Sequence, residues 1–251
     1  MSKVAIIAAL DREVRALVKK WTSLQREHQG RKFTFFEKDE LVVVCGGIGV
    51  EAARRAAEAV IALYHPALVH SVGFAGALDS GLRVGDIFAP SVVVDARDGS
   101  RTQLDFGDGT LVTFMAVAAP GQKAKLAQAY GARAVDMEAA AVAAAAQAHG
   151  IAFGVTKVIS DELNFEMPEM ARFIGTDGRF KSASFIRFVA VRPWLWKRVA
   201  VLASNSNHAA RVLAQHLEHF SMDLRKSEIP AAARPPVPMA VVNGLPAEDR
   251  K

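Results

Sequence analysis

The sequence predicts an α/β protein of three layers, with helices on both faces of a mainly parallel sheet. Continuous apolar runs such as Lys3–Leu10 and Leu41–Cys45 are typical of strands that are covered on both faces. Segments with helical character lie between these runs, and glycine or proline marks many of the boundaries. Strands that alternate with helices favour parallel pairing, because parallel neighbours need a long crossover connection.

The predicted elements follow one another in this alternating order. The predicted strands are Lys3–Leu10, Arg31–Glu37, Leu41–Cys45, Ala67–Val72, Ile87–Val94 (a strand or hairpin), Leu111–Val117, a short strand after Gly131, and Ile151–Ile159. The predicted helices begin near Asp11, span Val50–Tyr64 and Lys123–Tyr130, and run from Glu138 to His149. Turns are predicted at Gly46–Gly49, Gly73–Ala77 and Pro120–Gly121, and a polar loop at Ala96–Gly109.

Size and composition indicate one globular domain followed by a tail. The 251 residues are 51% hydrophobic and 23% charged, which is enough for one large core. We predict a single domain over residues 1–225 and a flexible tail over 226–251, because proline is dense from Pro230 onward. The single cysteine, Cys45, excludes an internal disulfide and is compatible with a reducing cytoplasm.

Charge and hydropathy narrow the classes of partner. The net charge of +5 is modest and its excess lies in the C-terminal third, so we expect no nucleic-acid partner. The N-terminus shows no charged leader with a cleavable apolar segment, and we expect no signal peptide. No stretch reaches the about 18 uncharged apolar residues of a membrane-spanning helix. The expected location is the cytoplasm.

Three carboxylates occupy comparable places in the predicted sheet. Glu13 follows the first strand, Asp161 follows the strand Ile151–Ile159, and Glu138 begins the alanine-rich central helix. Open α/β sheets bind their ligands at the carboxyl ends of the strands, so these acids can meet there. A purely structural interpretation stays open for each, since acids favour helix starts through capping and the helix dipole.

The glycine turns admit two interpretations. Glycines after strands let backbone amides approach a phosphate, a sugar or a carboxylate. The segment from Gly47 to Ala52 also fits the G-x-G-x-x-A pattern of dinucleotide-binding folds. That pattern needs an acid about 20 residues further on, and Pro66–Gly73 contains none, which disfavours a nicotinamide-dependent oxidoreductase.

An ordered set of short motifs resembles the nucleoside phosphorylase/nucleosidase superfamily. The motifs are Ala8–Val14, Gly47–Gly49, Gly73–Leu78, Val84–Ile87, Val135–Ala139 and Val158–Asp161. The N-terminal acid cluster resembles the methylthioadenosine/S-adenosylhomocysteine nucleosidases. The shortened middle and the end, Gly175–Arg179 followed by Arg192–Pro193, resemble bacterial hopanoid-associated phosphorylases, which implies removal of adenine from an adenosylated hopane lipid precursor. The implied fold is a mixed sheet partly closed into a barrel, and homo-oligomers are common in the family.

The resemblance also implies roles for individual residues. Asp161 would protonate the departing base and Glu13 would position or activate water, while Glu138 would hold the ribose hydroxyls. Further substrate-binding positions are Met137, Ser160, Gly49, Gly73, Phe74, Ala75 and Gly76. Phe153 and Phe165 are candidates for stacking on the base. Cleavage of an N-glycosidic bond passes through a cationic sugar and expels a basic leaving group, which suits carboxylates in these roles.

One feature departs from the family's phosphorylases. Those enzymes hold phosphate with arginines, one of them just before the second glycine turn, where this chain reads His70–Gly73. This favours water over phosphate as the nucleophile, although phosphate stays a candidate co-substrate, with Arg12 and Arg15 as possible ligands. We expect no metal and no organic cofactor. A nucleoside-binding protein without turnover is the alternative from another class.

The segment Phe185–Ala203 combines four aromatic with four basic side chains. They are Phe185, Phe188, Trp194 and Trp196, and Arg187, Arg192, Lys197 and Arg198. One interpretation is a pair of helices, divided at Pro193, that pack on the sheet with their basic residues in water. The other is a surface that meets anionic lipid and lets a lipid-linked nucleoside enter.

Overall fold

Strand β1 (Val4–Ala8) lies at the centre of the sheet, and all five of its side chains are buried. Its alternate residues join two different apolar clusters, because successive side chains of a strand point to opposite faces. Helices cover both clusters, so the sheet has a helical layer on each face. The structure is a computed structural model that describes residues 3–226, with side chains described through Met222.

The elements alternate much as the sequence predicts. The other strands are β2 (Thr22–His28), β3 (Arg31–Lys38), β4 (Leu41–Cys45), β5 (Leu68–Ala77), β6 (Ile87–Phe88), β7 (Val92–Asp95), β8 (Arg101–Gln103), β9 (Thr110–Thr113), β10 (Ala132–Asp136) and β11 (Ala152–Asp161). The helices are α1 (Asp11–Val18), α2 (Val50–Tyr64), α3 (Pro120–Tyr130), α4 (Ala139–Ala148), α5 (Ser182–Ala190) and α6 (Pro193–Lys226), with a 3-10 helix at Ala171–Phe173.

The sheet is mixed, and β5 is its branching point. The strand order is β2-β3-β4-β1-β5-β10-β9-β7-β8, while β11 pairs with the other edge of β5 and with β6. The first half of β5 runs parallel to β1, its end pairs antiparallel with β10, and β11 runs parallel along its full length. The mixed three-layer fold is therefore confirmed. Between residues 3 and 226 no pairing joins β2 to β8, so the described strands do not form a closed barrel.

Small side chains bring α2 and α4 close to one face of the sheet. Buried alanines of α2 at helical spacing share one cluster with Ala141 and Val142 of α4 and with β1 and β4. Helices α1 and α6 contribute Val14, Leu17 and Leu213 to the cluster on the opposite face. Amphipathic spacing of apolar residues thus places each helix, as expected for helices that cover a sheet.

Several boundaries differ from the prediction. Strands β2 and β8 were not predicted; β2 is a mostly exposed edge strand, so its sequence lacks the apolar signal of a buried strand. The predicted turn at Gly73–Ala77 is instead the second half of β5. Helix α3 begins at Pro120, because proline fits the first helical position, where no backbone donor is needed.

The segment 185–203 forms two helices, divided at Pro193 as predicted. Phe185 is buried, whereas Trp194 and Trp196 are 73% and 55% exposed. Across residues 3–226, no helix combines the length and the apolar composition that crossing a membrane requires. Helix α6 continues to Lys226, and the predicted tail beyond it lies outside the described residues.

Candidate active site

The carboxyl ends of β1, β10 and β11 meet beside the second half of β5 and enclose a cavity of about 140 Å³. Glu13, Glu138 and Asp161 all line it, although they are far apart in the sequence. Each of the three is at most 9% exposed. A buried carboxylate is costly unless hydrogen bonds or opposite charges compensate it, so the partners of each acid indicate what holds the site together.

Glu13 lies in the first turn of α1 and is held by backbone amides. Its Oε2 accepts hydrogen bonds from the amides of Ala9 and Leu10, both at 2.9 Å. Its Oε1 accepts one from Phe74 N at 3.2 Å. A Cβ atom at Gly73 would lie 3.1 Å from both oxygens, and φ there is +138°, so glycine allows this close approach. Burial raises the pKa of Glu13, and the amides and Lys157 only partly oppose it.

Glu138 lies at the start of α4 and is also fixed by amides. Its Oε1 accepts a hydrogen bond of 2.8 Å from Gly49 N, and its Oε2 accepts one of 3.2 Å from Met137 N. Burial, together with the nearby Asp136 carboxylate, raises the pKa of Glu138 to about 7. The glycine turn that resembles a dinucleotide-binding loop therefore donates its amide to a carboxylate of the protein itself.

A buried ion pair lies beside these two acids. Lys157 Nζ is 2.9 Å from Asp136 Oδ2 and donates to Ser71 Oγ at 3.3 Å. Asp136 also accepts hydrogen bonds from Thr113 Oγ1 at 2.6 Å and Ala139 N at 2.8 Å. Burial disfavours the Lys157 cation, but the carboxylates of Asp136, Glu138 and Glu13 outweigh it and raise the pKa of Lys157.

Asp161 forms a second buried ion pair at the end of β11. Its Oδ1 accepts a hydrogen bond from Ser160 Oγ at 2.8 Å, and its Oδ2 accepts one from Lys123 Nζ at 2.5 Å. Lys123 is 1% exposed, projects from α3 and also donates to Glu162 O at 2.7 Å. Gly76 leaves room for this pair, since a Cβ there would lie 2.9 Å from Asp161 Oδ2.

Most of the other predicted site residues reach this cavity. Five line it directly: Phe74, Ala75, Gly76, Met137 and Ser160. Gly49 and Gly73 are not in the cavity lining. Gly49 donates its amide to Glu138, and Gly73 leaves room for the carboxylate of Glu13. Sequence reasoning missed both buried lysines, and the only available signal was a cationic residue among apolar neighbours.

The two phenylalanines proposed for base stacking are not in the cavity lining. Phe153 lies near the amino end of β11, at the opposite end of the strand from Asp161, and packs into the core. Phe165 is half-buried in the loop after β11. Aliphatic and methionine side chains line the cavity instead, among them Val117, Met167, Met170 and Ile174. This part of the prediction is corrected: the structure brings neither Phe153 nor Phe165 to the site.

A larger cavity of about 800 Å³ adjoins the first one. The two share the wall residues Ala9, Leu10, Arg12, Ile48 and Met170. The remaining wall is apolar on the side of α5 and α6, with Phe180, Phe185, Ile186, Val199 and Leu202. Arg31, Lys32 and Arg179 also line it and add positive charge. In the described part of the chain, no three His, Cys, Asp or Glu side chains are grouped so that they could hold a metal ion.

Comparison with known proteins identifies the family. Residues 3–124 and 116–189 match the model described as the phosphorylase superfamily, so this chain belongs to that superfamily. It is similar to the 5′-methylthioadenosine/S-adenosylhomocysteine nucleosidase of Marinomonas sp. (strain MWYL1), with 33% identity over 98 residues, or 38% of this chain and 42% of that protein. The nucleosidase of the same name from Actinobacillus succinogenes is 28% identical over 198 residues, or 63% of this chain and 85% of that protein. The matched segment thus spans less than half of the length of the Marinomonas relative.

Solved structures share the fold over nearly the whole chain. Futalosine hydrolase of Helicobacter pylori strain 26695 superposes with a TM-score of 0.65 at 17% identity, covering 89% of this chain and 98% of that one. S-adenosylhomocysteine nucleosidase from Streptococcus pyogenes, in complex with 5-methylthiotubericidin, gives 0.66 at 19% identity, covering 89% and 97%. At these identities the similarity establishes the fold.

The raised pKa of Glu138 predicts how stability depends on pH. The folded state holds this proton more tightly than the unfolded chain, so Glu138 makes the free energy of unfolding fall as pH rises from about 4.5 to about 7. Glu138→Gln removes this contribution. The free energy of unfolding of the variant, minus that of wild type, should therefore increase by up to about 3 kcal/mol from pH 5 to pH 8. Urea unfolding at both pH values measures this difference. An equal difference at both pH values would contradict this assignment.

Proposed function

We propose that this protein cleaves the N-glycosidic bond of a purine nucleoside and releases adenine. The observation that carries the proposal is that three buried carboxylates, from the ends of three strands, line one cavity. Membership of the phosphorylase superfamily and similarity to named nucleosidases are consistent with this chemistry. Such a reaction develops positive charge on the sugar and negative charge on the base, and acidic groups at fixed positions can serve both.

Glu138 and Met137 are assigned to the ribose. Each carboxylate oxygen of Glu138 accepts one backbone amide, which leaves a further lone pair on each oxygen for a sugar hydroxyl. Hydrogen bonds from those hydroxyls become stronger as the sugar becomes cationic, and this lowers the barrier to cleavage. Asp161 is assigned to the leaving base and is held in place by Ser160 and Lys123.

Glu13 is assigned to the nucleophile, which we propose is water. A carboxylate whose pKa is raised by burial is a better proton acceptor than an exposed one, as general-base catalysis requires. Phosphate is the second candidate, because Arg12 lines the cavity with its guanidinium 5.3 Å from the ring centroid of Phe74. No organic cofactor enters this scheme.

Variants of the acids test the assignment. Without added phosphate, wild type should release adenine and ribose from adenosine, and adenine and methylthioribose from methylthioadenosine. Glu138→Gln and Asp161→Asn should each lower kcat/KM by about 10²–10⁴-fold, since each removes a group that acts in the transition state. Chromatography of the products measures both results, circular dichroism verifies the fold, and Glu27→Gln on the exposed strand β2 is the control.

Other products would identify the alternatives. Formation of ribose-1-phosphate only when phosphate is added would show that phosphate, and not water, is the nucleophile. Tight adenine binding without release of adenine from any adenosyl compound would indicate a binding protein without turnover. Binding of a nicotinamide nucleotide would favour the oxidoreductase, which is the least supported alternative because Gly49 donates its amide to Glu138.

We infer further that the substrate carries a long apolar group at its 5′ position. The 800 Å³ cavity shares part of its wall with the small one and presents apolar side chains from α5 and α6. Such a space suits an adenosylated hopanoid precursor, the substrate implied by the resemblance of the sequence. Self-association, which the same resemblance implies, stays a prediction that sedimentation can measure.

The apolar cavity predicts a preference for long 5′ chains. Each buried methylene contributes about 0.8 kcal/mol, so kcat/KM should rise at least about tenfold from a methylthio to a hexylthio substituent on 5′-deoxyadenosine. Ile186→Asp places a charge in the cavity wall at a position that is 65% exposed and should remove this preference without affecting the methylthio substrate. Val201→Asp on α6, outside the cavity lining, is the matched control. Equal rates for both chain lengths in wild type would contradict the proposal.

The exposed face of α5 and α6 is proposed to contact an anionic membrane. Ile186, Val191, Trp194 and Trp196 are all more than half exposed there. Exposed basic side chains, among them Arg187 and Lys197, lie between them, and this combination suits an interfacial surface. Because Ile186 also lines the large cavity, the surface adjoins the proposed entrance for a lipid-linked substrate.

Flotation with anionic liposomes tests the membrane contact. Intact protein should float with the vesicles, and Trp194→Ala/Trp196→Ala should reduce the bound fraction several-fold, because interfacial tryptophans supply much of the apolar contact. Phe106→Ala removes another exposed aromatic residue, which is 88% exposed and lies elsewhere, and it should bind like wild type. Failure of the intact protein to float would refute the proposed surface.

A further inference from the structure

Lys123 is a buried ammonium in the wall of the small cavity. It is 1% exposed and donates one hydrogen bond to Asp161 Oδ2 and another to Glu162 O. An ammonium has three donors, and no protein acceptor among residues 3–226 takes the third. Lys123 lines the same cavity as Asp161. Its position on α3 therefore places a proton donor at the site of the leaving base.

The ion pair affects what Asp161 can do. Asp161 Oδ2 lies 2.5 Å from the buried Lys123 ammonium, and in this ion pair each group compensates the charge of the other. An ionised carboxylate carries no proton, whereas the leaving base needs one. The other oxygen of Asp161, Oδ1, accepts a hydrogen bond from Ser160 Oγ, but an uncharged hydroxyl is too weak an acid to supply that proton.

We propose that Lys123 is the source of the proton that Asp161 passes to the base, a proposal that rests on the proposed function. The Lys123 ammonium transfers a proton to Asp161 Oδ2, which gives a neutral amine beside a neutral carboxyl group. As the bond between the sugar and the base breaks, its electron pair moves to the base, and Asp161 gives the proton to a ring nitrogen of the base. Water adds to the sugar and loses its proton to Glu13. Exchange with solvent then deprotonates Glu13 and reprotonates Lys123.

The alternative is that Lys123 only neutralises the charge of Asp161 and fixes its position. The two roles make opposite predictions for arginine. Arginine keeps the positive charge but cannot give up a proton in a protein, so Lys123→Arg would preserve a neutralising role and abolish a proton-supplying one. Methionine removes both the charge and the proton, and Asp161, buried without a cation, would then favour its own protonated form.

The experiment compares two leaving groups over a range of pH. Adenosine needs a proton on its base, whereas 4-nitrophenyl β-D-ribofuranoside releases a stable anion that needs none. Lys123→Arg should lower kcat/KM for adenosine at least about 100-fold at every pH and change the nitrophenyl substrate only a few-fold. Lys123→Met should retain more adenosine cleavage than Lys123→Arg at pH 5 and lose it as pH rises. Lys125→Met, at an exposed position of the same helix, is the matched control and should behave like wild type.

Each other outcome overturns a defined part of the proposal. If Lys123→Arg cleaves adenosine within a few-fold of wild type while Lys123→Met does not, Lys123 is only a charge partner. The inference then fails, whereas the proposed function stands. Equal loss on both substrates in variants with wild-type circular dichroism would also overturn it, because the defect would not concern the leaving group. If wild type cleaves neither substrate, the proposed function fails and the inference fails with it.

Discussion

The buried cation of Lys157 is the interaction on which the arrangement of acids depends. It forms an ion pair with Asp136 at 2.9 Å, and its charge also acts on Glu138 and Glu13. Removal of one partner from a buried ion pair typically costs about 3–5 kcal/mol, because the other charge stays buried without compensation. Without Lys157, three acidic side chains would lie close together in the interior, stabilised by backbone amides and the Thr113 hydroxyl but by no paired cation.

Hydrogen bonds from backbone amides provide further stabilisation of these acids, and they explain the positions of the two glycine segments. Gly49 donates its amide to Glu138, and Gly73 leaves room for the carboxylate of Glu13 against β5. A side chain at Gly73 would crowd the carboxylate of Glu13, which accepts a hydrogen bond from the amide of Phe74, and would strain the backbone at φ +138°. The glycines thus position the acids, and through them any ligand, although the sequence pattern alone suggests that they contact a ligand directly.

The layered fold and the meeting of the three acids were predictable, because both follow from strand ends. An apolar run such as β1 marks a buried strand, and an acid directly after it must lie at the edge of the sheet. Lys123 and Lys157 were not predictable in this way. A lysine near apolar residues is usually solvated, and only the tertiary structure shows that these two are buried with Asp161 and Asp136 as partners. The exposed strand β2 was not predictable either, because its sequence has no apolar pattern. Only its hydrogen bonds to the neighbouring strand in the folded sheet define it.

The balance of charge leaves two of the buried acids without a cation of their own. Lys157 pairs with Asp136 and Lys123 pairs with Asp161, so among these six side chains Glu13 and Glu138 are the acids without a dedicated cation. Burial raises the pKa of both, which means that each holds its proton more readily than an exposed acid does. In the proposed reaction a positive charge develops on the sugar between them, and that charge favours their ionised forms. Their stabilising effect is then greatest in the transition state, which is the condition for accelerating the reaction beyond binding the substrate.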